Sequence, residues 1–186
     1  MRIFSFGLTL LVACALAACA TSQYNSELFR AQLAAPYQLA SGDRLRVIVF
    51  GQDSLSNSYS VDGAGNISMP LIGSVKANGL TTAEIERSIA SKLQNGFLRE
   101  PQVAVEVEAF RPFFVLGEVQ TAGQYPFING MTVQNAIAVA GGFSPRGSQS
   151  GADITRLVNG RPVTGWVPLT FPVRPGDTVT VRERFF

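Results

Sequence analysis

Asn-Gly recurs four times in this chain of 186 residues, at Asn78, Asn95, Asn129 and Asn159. It is the dipeptide that most readily takes up the positive φ angles of a tight turn, so the elements between these points must be short. With 18 glycines and 10 prolines spread among 46% hydrophobic residues, the chain suits one or two compact domains of short strands and helices. A disordered or collagen-like chain is excluded.

The alternation of apolar residues reads as two units of an α+β fold. In the first, 37–109, Gly42-Asp43 launches a strand over Arg44 to Phe50, with Leu45, Val47 and Val49 on one face and Arg44, Arg46 and Ile48 on the other. Ser58 to Val61 and Asn66 to Met69 are expected to form a hairpin through Asp62-Gly63-Ala64-Gly65. Thr81-Thr82-Ala83-Glu84 has the form of a capping box. It opens a helix with Ile85, Ile89 and Leu93 at four-residue spacing, which Asn95-Gly96 ends. Gln102 to Glu108 is a strand with Val103, Val105 and Val107 facing inward and Ala104, Glu106 and Glu108 facing out. Arg111-Pro112 marks the passage to the second unit, 110–186: a strand over Phe113 to Leu116, a helix over Thr132 to Ala140 stopped by Gly141-Gly142, and strands over Ile154 to Val158, Pro162 to Val167 and Thr178 to Arg182. The units share an echo. Gly42-Asp43-Arg44-Leu45-Arg46-Val47 matches Gly176-Asp177-Thr178-Val179-Thr180-Val181, a turn in which Asp accepts local backbone hydrogen bonds before a strand.

The chain contains no histidine, which removes Ser-His and Cys-His catalysis, His-ligated zinc and an imidazole base. Its formal charge of +2 falls far short of a nucleic-acid-binding surface, so no nucleic-acid partner is expected. Glu106 and Glu108 on one strand face lie about 6.6 Å apart at ~3.3 Å per residue, within reach of an inverting glycosidase geometry, but alternating Val and Glu is also how an ordinary solvated strand reads. Asp62 to Asn66 lacks the further carboxylates of a calcium loop, and Gly63-Ala64-Gly65 joins strands instead of opening a phosphate-binding helix. Phe110, Phe113, Phe114, Tyr125 and Phe127 form an aromatic group that reads as core or subunit interface, as do Phe185-Phe186. No enzyme activity, cofactor or metal is expected.

The N-terminus has a short basic start, Met1-Arg2, an apolar run from Ile3 to Ala15, and Leu16-Ala17-Ala18-Cys19. This resembles a bacterial lipoprotein signal peptide, which implies removal of 1–18, lipidation of Cys19, and a tether over 19–36. Ala20 after the cysteine resembles an outer-membrane address, placing the chain on the periplasmic face.

Residues 37 to 186 resemble the outer-membrane polysaccharide export family. In the first unit the resemblance rests on Tyr37-Gln38-Leu39, Gly42-Asp43, Val49-Phe50-Gly51, Val61-Asp62, Gly65-Asn66-Ile67, Pro70-Leu71-Ile72-Gly73, Gly79-Leu80-Thr81, Glu84-Ile85 and Pro101-Gln102-Val103. Val115-Leu116-Gly117-Glu118-Val119, Gly123-Gln124-Tyr125, Thr132-Val133 and Ala140-Gly141-Gly142-Phe143 resemble the β-grasp-like SLBB module that follows in that family. The resemblance implies a polysaccharide-export α+β domain followed by an SLBB domain, assembled into an octamer-like homo-oligomeric ring that passes capsular or exopolysaccharide without covalent chemistry. It implies an inner-membrane polysaccharide co-polymerase as partner. Longer relatives carry a final membrane-lining helix that is not found before Phe186, so a separate outer-membrane β-barrel protein is expected to supply the pore. Under this reading Arg44, Arg46, Glu106 and Glu108 are candidates to line a lumen or bridge subunits. The competing expectation is a monomeric SLBB lipoprotein that binds a small sugar or other solute.

Overall fold

The computed structural model of the chain describes Phe29 and residues 33–184. The described residues divide into two compact units, one of residues 36–113 with 124–129 and one of Phe29, 33–35, 114–123 and 130–184.

In the first unit, β1 (Arg44–Val49) is the middle strand of an antiparallel sheet, flanked by β2 (Asn57–Ser60) and β5 (Val103–Ala109). The predicted alternation is obeyed: Leu45, Val47 and Val49 are buried while Arg44 and Arg46 are exposed. α1 (Thr82–Gln94) starts at the Thr81 cap, whose Oγ1 accepts from the Glu84 N–H at 3.3 Å while the Glu84 carboxylate accepts from the Thr81 N–H at 2.7 Å. Those two bonds satisfy donors that a helix start leaves unpaired, and hold the Glu84 carboxyl below its ordinary range. The helix buries Ile85, Ile89 and Leu93 completely, worth about 1.5–3 kcal/mol for each such side chain. Glu86 accepts from the Val105 N–H at 2.9 Å, so α1 also covers the outer edge of β5.

The expected hairpin between the second and third strands does not form. β3 (Asn66–Met69) pairs instead with β4 (Gly73–Lys76), a strand not expected from the sequence, and the two make a separate sheet. Asp62 still organises a tight turn, with Oδ1 accepting from Ala64 N and Asn66 N, both at 2.9 Å. That turn redirects the chain so that Ile67, Met69 and Val75 join the same core as β1 and α1. The local turn chemistry was legible, but partner choice followed burial of these apolar side chains.

Most of a five-stranded sheet in the order β7-β6-β10-β8-β9 lies in the second unit; its strands are β6 (Phe113–Gly117), β7 (Gly123–Tyr125), β8 (Ala152–Val158), β9 (Arg161–Val167) and β10 (Thr178–Val181). β10 runs parallel to β6 and antiparallel to β8. Asn159 and Gly160, at φ 52° and 75°, form the two-residue turn between β8 and β9. Pro162 is tolerated because β9 is an edge strand. α2 (Val133–Val139) is capped by Thr132 and Asn135 and buries Val133, Ala136 and Ile137.

The stretch expected to be a tether is anchored at its described end. Phe29 is buried, its ring 6.1 Å from that of Phe171 and 5.4 Å from the Arg156 guanidinium carbon, and Arg174 donates to the Ala35 carbonyl at 3.0 Å. One buried aromatic in a polar stretch carries no periodicity, which is why the sequence read as linker. The signal segment, Cys19 and Phe185-Phe186 lie outside the described residues.

Candidate functional site

Two kinds of polar constellation stand out, one buried and one exposed. The buried kind occurs once in each unit and realises the Gly-Asp echo. In both turns Asp donates its N–H to the carbonyl three residues back at 3.1 Å, and its Oδ2 accepts from the N–H of that same residue: Ala40 for Asp43 at 2.8 Å, Arg174 for Asp177 at 2.7 Å. Each Asp then meets an arginine from a distant point in the sequence. Asp43 Oδ1 accepts from the Arg111 backbone N–H at 2.8 Å, its Oδ2 accepts from the Tyr37 hydroxyl at 2.7 Å, and the Arg111 guanidinium lies 3.6 Å from Oδ2. Asp177 takes a two-pronged contact from Arg156, Nε to Oδ1 at 2.8 Å and Nη2 to Oδ2 at 2.7 Å. Arg156 and Asp177 have side chains only 4% and 1% exposed, and the guanidinium lies against the rings of Phe29 and Phe171. Both constellations hold their modules together. The arginine partners were missed from the sequence, although Arg156 alternates in phase with Ala152, Ile154 and Val158 on the inward face of β8, a detectable sign of a buried charge.

The exposed kind comprises the open faces of the two larger sheets. On the first, Arg44, Arg46, Glu106 and Glu108 are brought together as the alternation predicts, all exposed. Arg46 stands opposite Glu106 and Ser58 in the ladder, and Arg44 opposite Ser60. A register shift beside Arg44 turns Glu108 toward it, and Arg44 Nε reaches Glu108 Oε2 at 2.9 Å. Glu108 is therefore paired within the chain, to an arginine of the neighbouring strand. The face has two cations, two anions and two hydroxyls, so its charge is balanced. On the second, one cross-sheet row runs Leu116, Thr180, Asp153, Trp166 and the next runs Phe114, Thr178, Thr155, Thr164. Asp153 accepts both Nε and Nη2 of Arg182, whose pKa this pairing raises further.

The aromatic group expected to be core or subunit interface is core in part. Tyr37, Phe110 and Phe127 stack edge-on at 5.0 and 5.4 Å, and Phe113 is buried 6.0 Å from Tyr125. Phe114 points to the open side of the sheet, because successive strand residues alternate faces. Among the described residues no three His, Cys, Asp or Glu side chains gather as a metal site, and no helix is long and apolar enough to cross a membrane.

Two small α+β modules, each with a Gly-Asp turn braced by a distant arginine, thus make up the described residues. The polysaccharide biosynthesis/export protein family matches residues 31–108 and the SLBB domain matches 112–167. The chain carries one polysaccharide biosynthesis/export domain followed by one SLBB domain. It is 36% identical to the exopolysaccharide production protein ExoF of Rhizobium meliloti over 119 residues, covering 58% of this chain and 28% of that protein. It is 29% identical over 187 residues to the EPS I polysaccharide export outer membrane protein EpsA of Ralstonia nicotianae, covering 81% of this chain and 48% of the relative. Identity to the polysialic acid transport protein KpsD of Escherichia coli is 29% over 115 residues, 60% of this chain and 21% of that one. The aligned parts thus make up between about a fifth and a half of these relatives.

Proposed function

We propose that the protein is a periplasmic, lipid-anchored subunit of a ring that conducts capsular polysaccharide or exopolysaccharide at the outer membrane, without covalent catalysis. The observation that carries this reading is the succession of an export domain and an SLBB domain, shared in part with relatives named for polysaccharide export, production and transport. The balanced face of Arg44, Arg46, Glu106 and Glu108 supports it physically. A polymer passes best along a hydrated wall that binds weakly, because tight binding slows release. The Arg44–Glu108 pair within the chain favours lumen or solvent exposure for these side chains over a role in bridging subunits. In this reading Cys19 carries the lipid, an inner-membrane polysaccharide co-polymerase feeds the ring, and a separate outer-membrane β-barrel protein completes the path.

The test combines genetics with imaging. Deletion of the gene is expected to abolish extracellular polysaccharide, and the detergent-purified protein is expected to form closed rings by electron microscopy. A strictly monomeric protein at high concentration, in a strain whose export survives the deletion, overturns the proposal and favours the solute-binding lipoprotein. Cys19→Ser is expected to leave the signal unprocessed and move the protein away from the outer-membrane fraction; unchanged fractionation refutes the anchor.

A further inference from the structure

The β9 edge of the second unit's open sheet face combines features that a plain solvent face does not need. Trp166, the only tryptophan of the chain, is 50% exposed there. Its ring is held down over Gly151: a Cβ on that glycine would stand 2.6 Å from Cζ2 and 2.8 Å from Cε2 of the indole. The glycine thus leaves room for the ring to lie close over the backbone. Directly across the ladder from Trp166 is Asp153, whose carboxylate is locked in a fork with the Arg182 guanidinium. The adjoining row presents the hydroxyls of Thr155 and Thr164, 2.8 Å apart. One indole face, one planar carboxylate–guanidinium pair and two hydroxyls therefore share a single open surface.

We infer that this surface is a subsite for the sugar units of a polysaccharide, with a pyranose ring stacked on Trp166 and its hydroxyls bonded to Asp153, Arg182 and the threonine pair. The inference deepens the export reading and rests on it. A pyranose offers an apolar face of C–H groups and a rim of hydroxyls. The first matches the electron-rich face of an indole, and the second matches planar groups able to donate and accept at once. The core of a protein-protein contact is depleted of charge, whereas here an ion pair stands beside the aromatic ring. The pair is neutral overall, so the subsite accepts a passing sugar without holding it as a fixed charge would.

The test uses the full chain, purified in a detergent without a sugar headgroup, and short fragments made by partial hydrolysis of the extracellular polysaccharide of the bacterium that carries it. Because Trp166 is the sole tryptophan, its emission reports on the subsite directly. Fragments are expected to shift that emission to the blue in a saturable way at millimolar sugar, with no change in oligomer mass. By calorimetry, Trp166→Phe is expected to keep binding while Trp166→Ala weakens it at least fivefold, and circular dichroism checks that both variants fold. Emission that ignores the fragments overturns the inference. Emission that instead follows protein concentration and assembly also overturns it, and makes the face a contact between copies, leaving the export reading intact. Failure of that reading is scored separately, by export that persists in the deletion strain.

Discussion

Removing the carboxylate of Asp177 should destabilise the second unit far more than removing any surface charge. Asp177→Ala takes away both prongs of the Arg156 contact and the acceptor for the Arg174 N–H, and leaves a guanidinium that is 4% exposed without its counter-ion. Among the described residues Arg156 Nη1 has no hydrogen-bond partner, and Nη2 would keep only the neutral Pro172 carbonyl at 3.2 Å, which does not replace the lost charge. Breaking one side of a buried pair costs about 3–5 kcal/mol, most of it the penalty for the unpaired buried charge. Against a total stability of roughly 5–15 kcal/mol for a domain, that is a large fraction. The assay is urea unfolding followed by Trp166 fluorescence, which reports on the sheet that contains β8 and β10. The midpoint should fall with little change in slope. The double variant Arg156→Met, Asp177→Ala should recover most of the loss, since a flexible apolar chain between Phe29 and Phe171 no longer carries a charge to solvate. A loss below about 1 kcal/mol for Asp177→Ala, or a double variant worse than the single, refutes the reasoning, because both follow only if the buried charge dominates.

The exposed pair provides the contrast. Arg44 and Glu108 have side chains 54% and 36% exposed, so a double-mutant cycle with Arg44→Ala and Glu108→Ala should give a coupling of about 0–1 kcal/mol that salt further weakens. Gly117 sits at φ 82°, and a Cβ there would stand 2.2 Å from the Val181 carbonyl oxygen, so Gly117→Ala should cost at least ~2 kcal/mol, read by the same fluorescence assay, by prising β6 from β10. Burial raises the Tyr59 hydroxyl, which donates to the Leu55 carbonyl at 2.8 Å. A raised folded pKa means that its stabilisation is complete below the unfolded value of about 10 and is lost as pH rises beyond it. Denaturation curves between pH 9 and 11 should therefore show declining stability that Tyr59→Phe lessens, at the cost of about 1 kcal/mol at neutral pH for the lost hydrogen bond.

Much of the local architecture was legible. Alternation located β1, β5, β6, β8 and β10 to within a residue or two, the Thr81 capping box set the start of α1, and Gly141-Gly142 marked the end of α2. Asn159-Gly160 specified a two-residue hairpin because its φ angles are a property of those two residues. The Gly-Asp echo was visible as turn chemistry for the same reason: Asp43 and Asp177 bond to atoms three residues away. Alternation also put Arg44 and Arg46 on the outward side of β1 and Glu106 and Glu108 on that of β5. Short-range geometry is encoded where it acts.

Tertiary structure decided whatever depends on residues far apart in the chain. It chose β4 over β2 as the partner of β3, because pairing there lets Ile67, Met69 and Val75 reach the core shared with α1. It brought Arg111 to Asp43 and Arg156 to Asp177 across 68 and 21 residues, where burial turns an ordinary turn aspartate into a structural brace. It also fixed Phe29 onto Phe171 and laid Trp166 over Gly151. Period and propensity specify which side of a strand is apolar, but which apolar side is covered, and by what, is settled only when the whole chain competes for the same buried space.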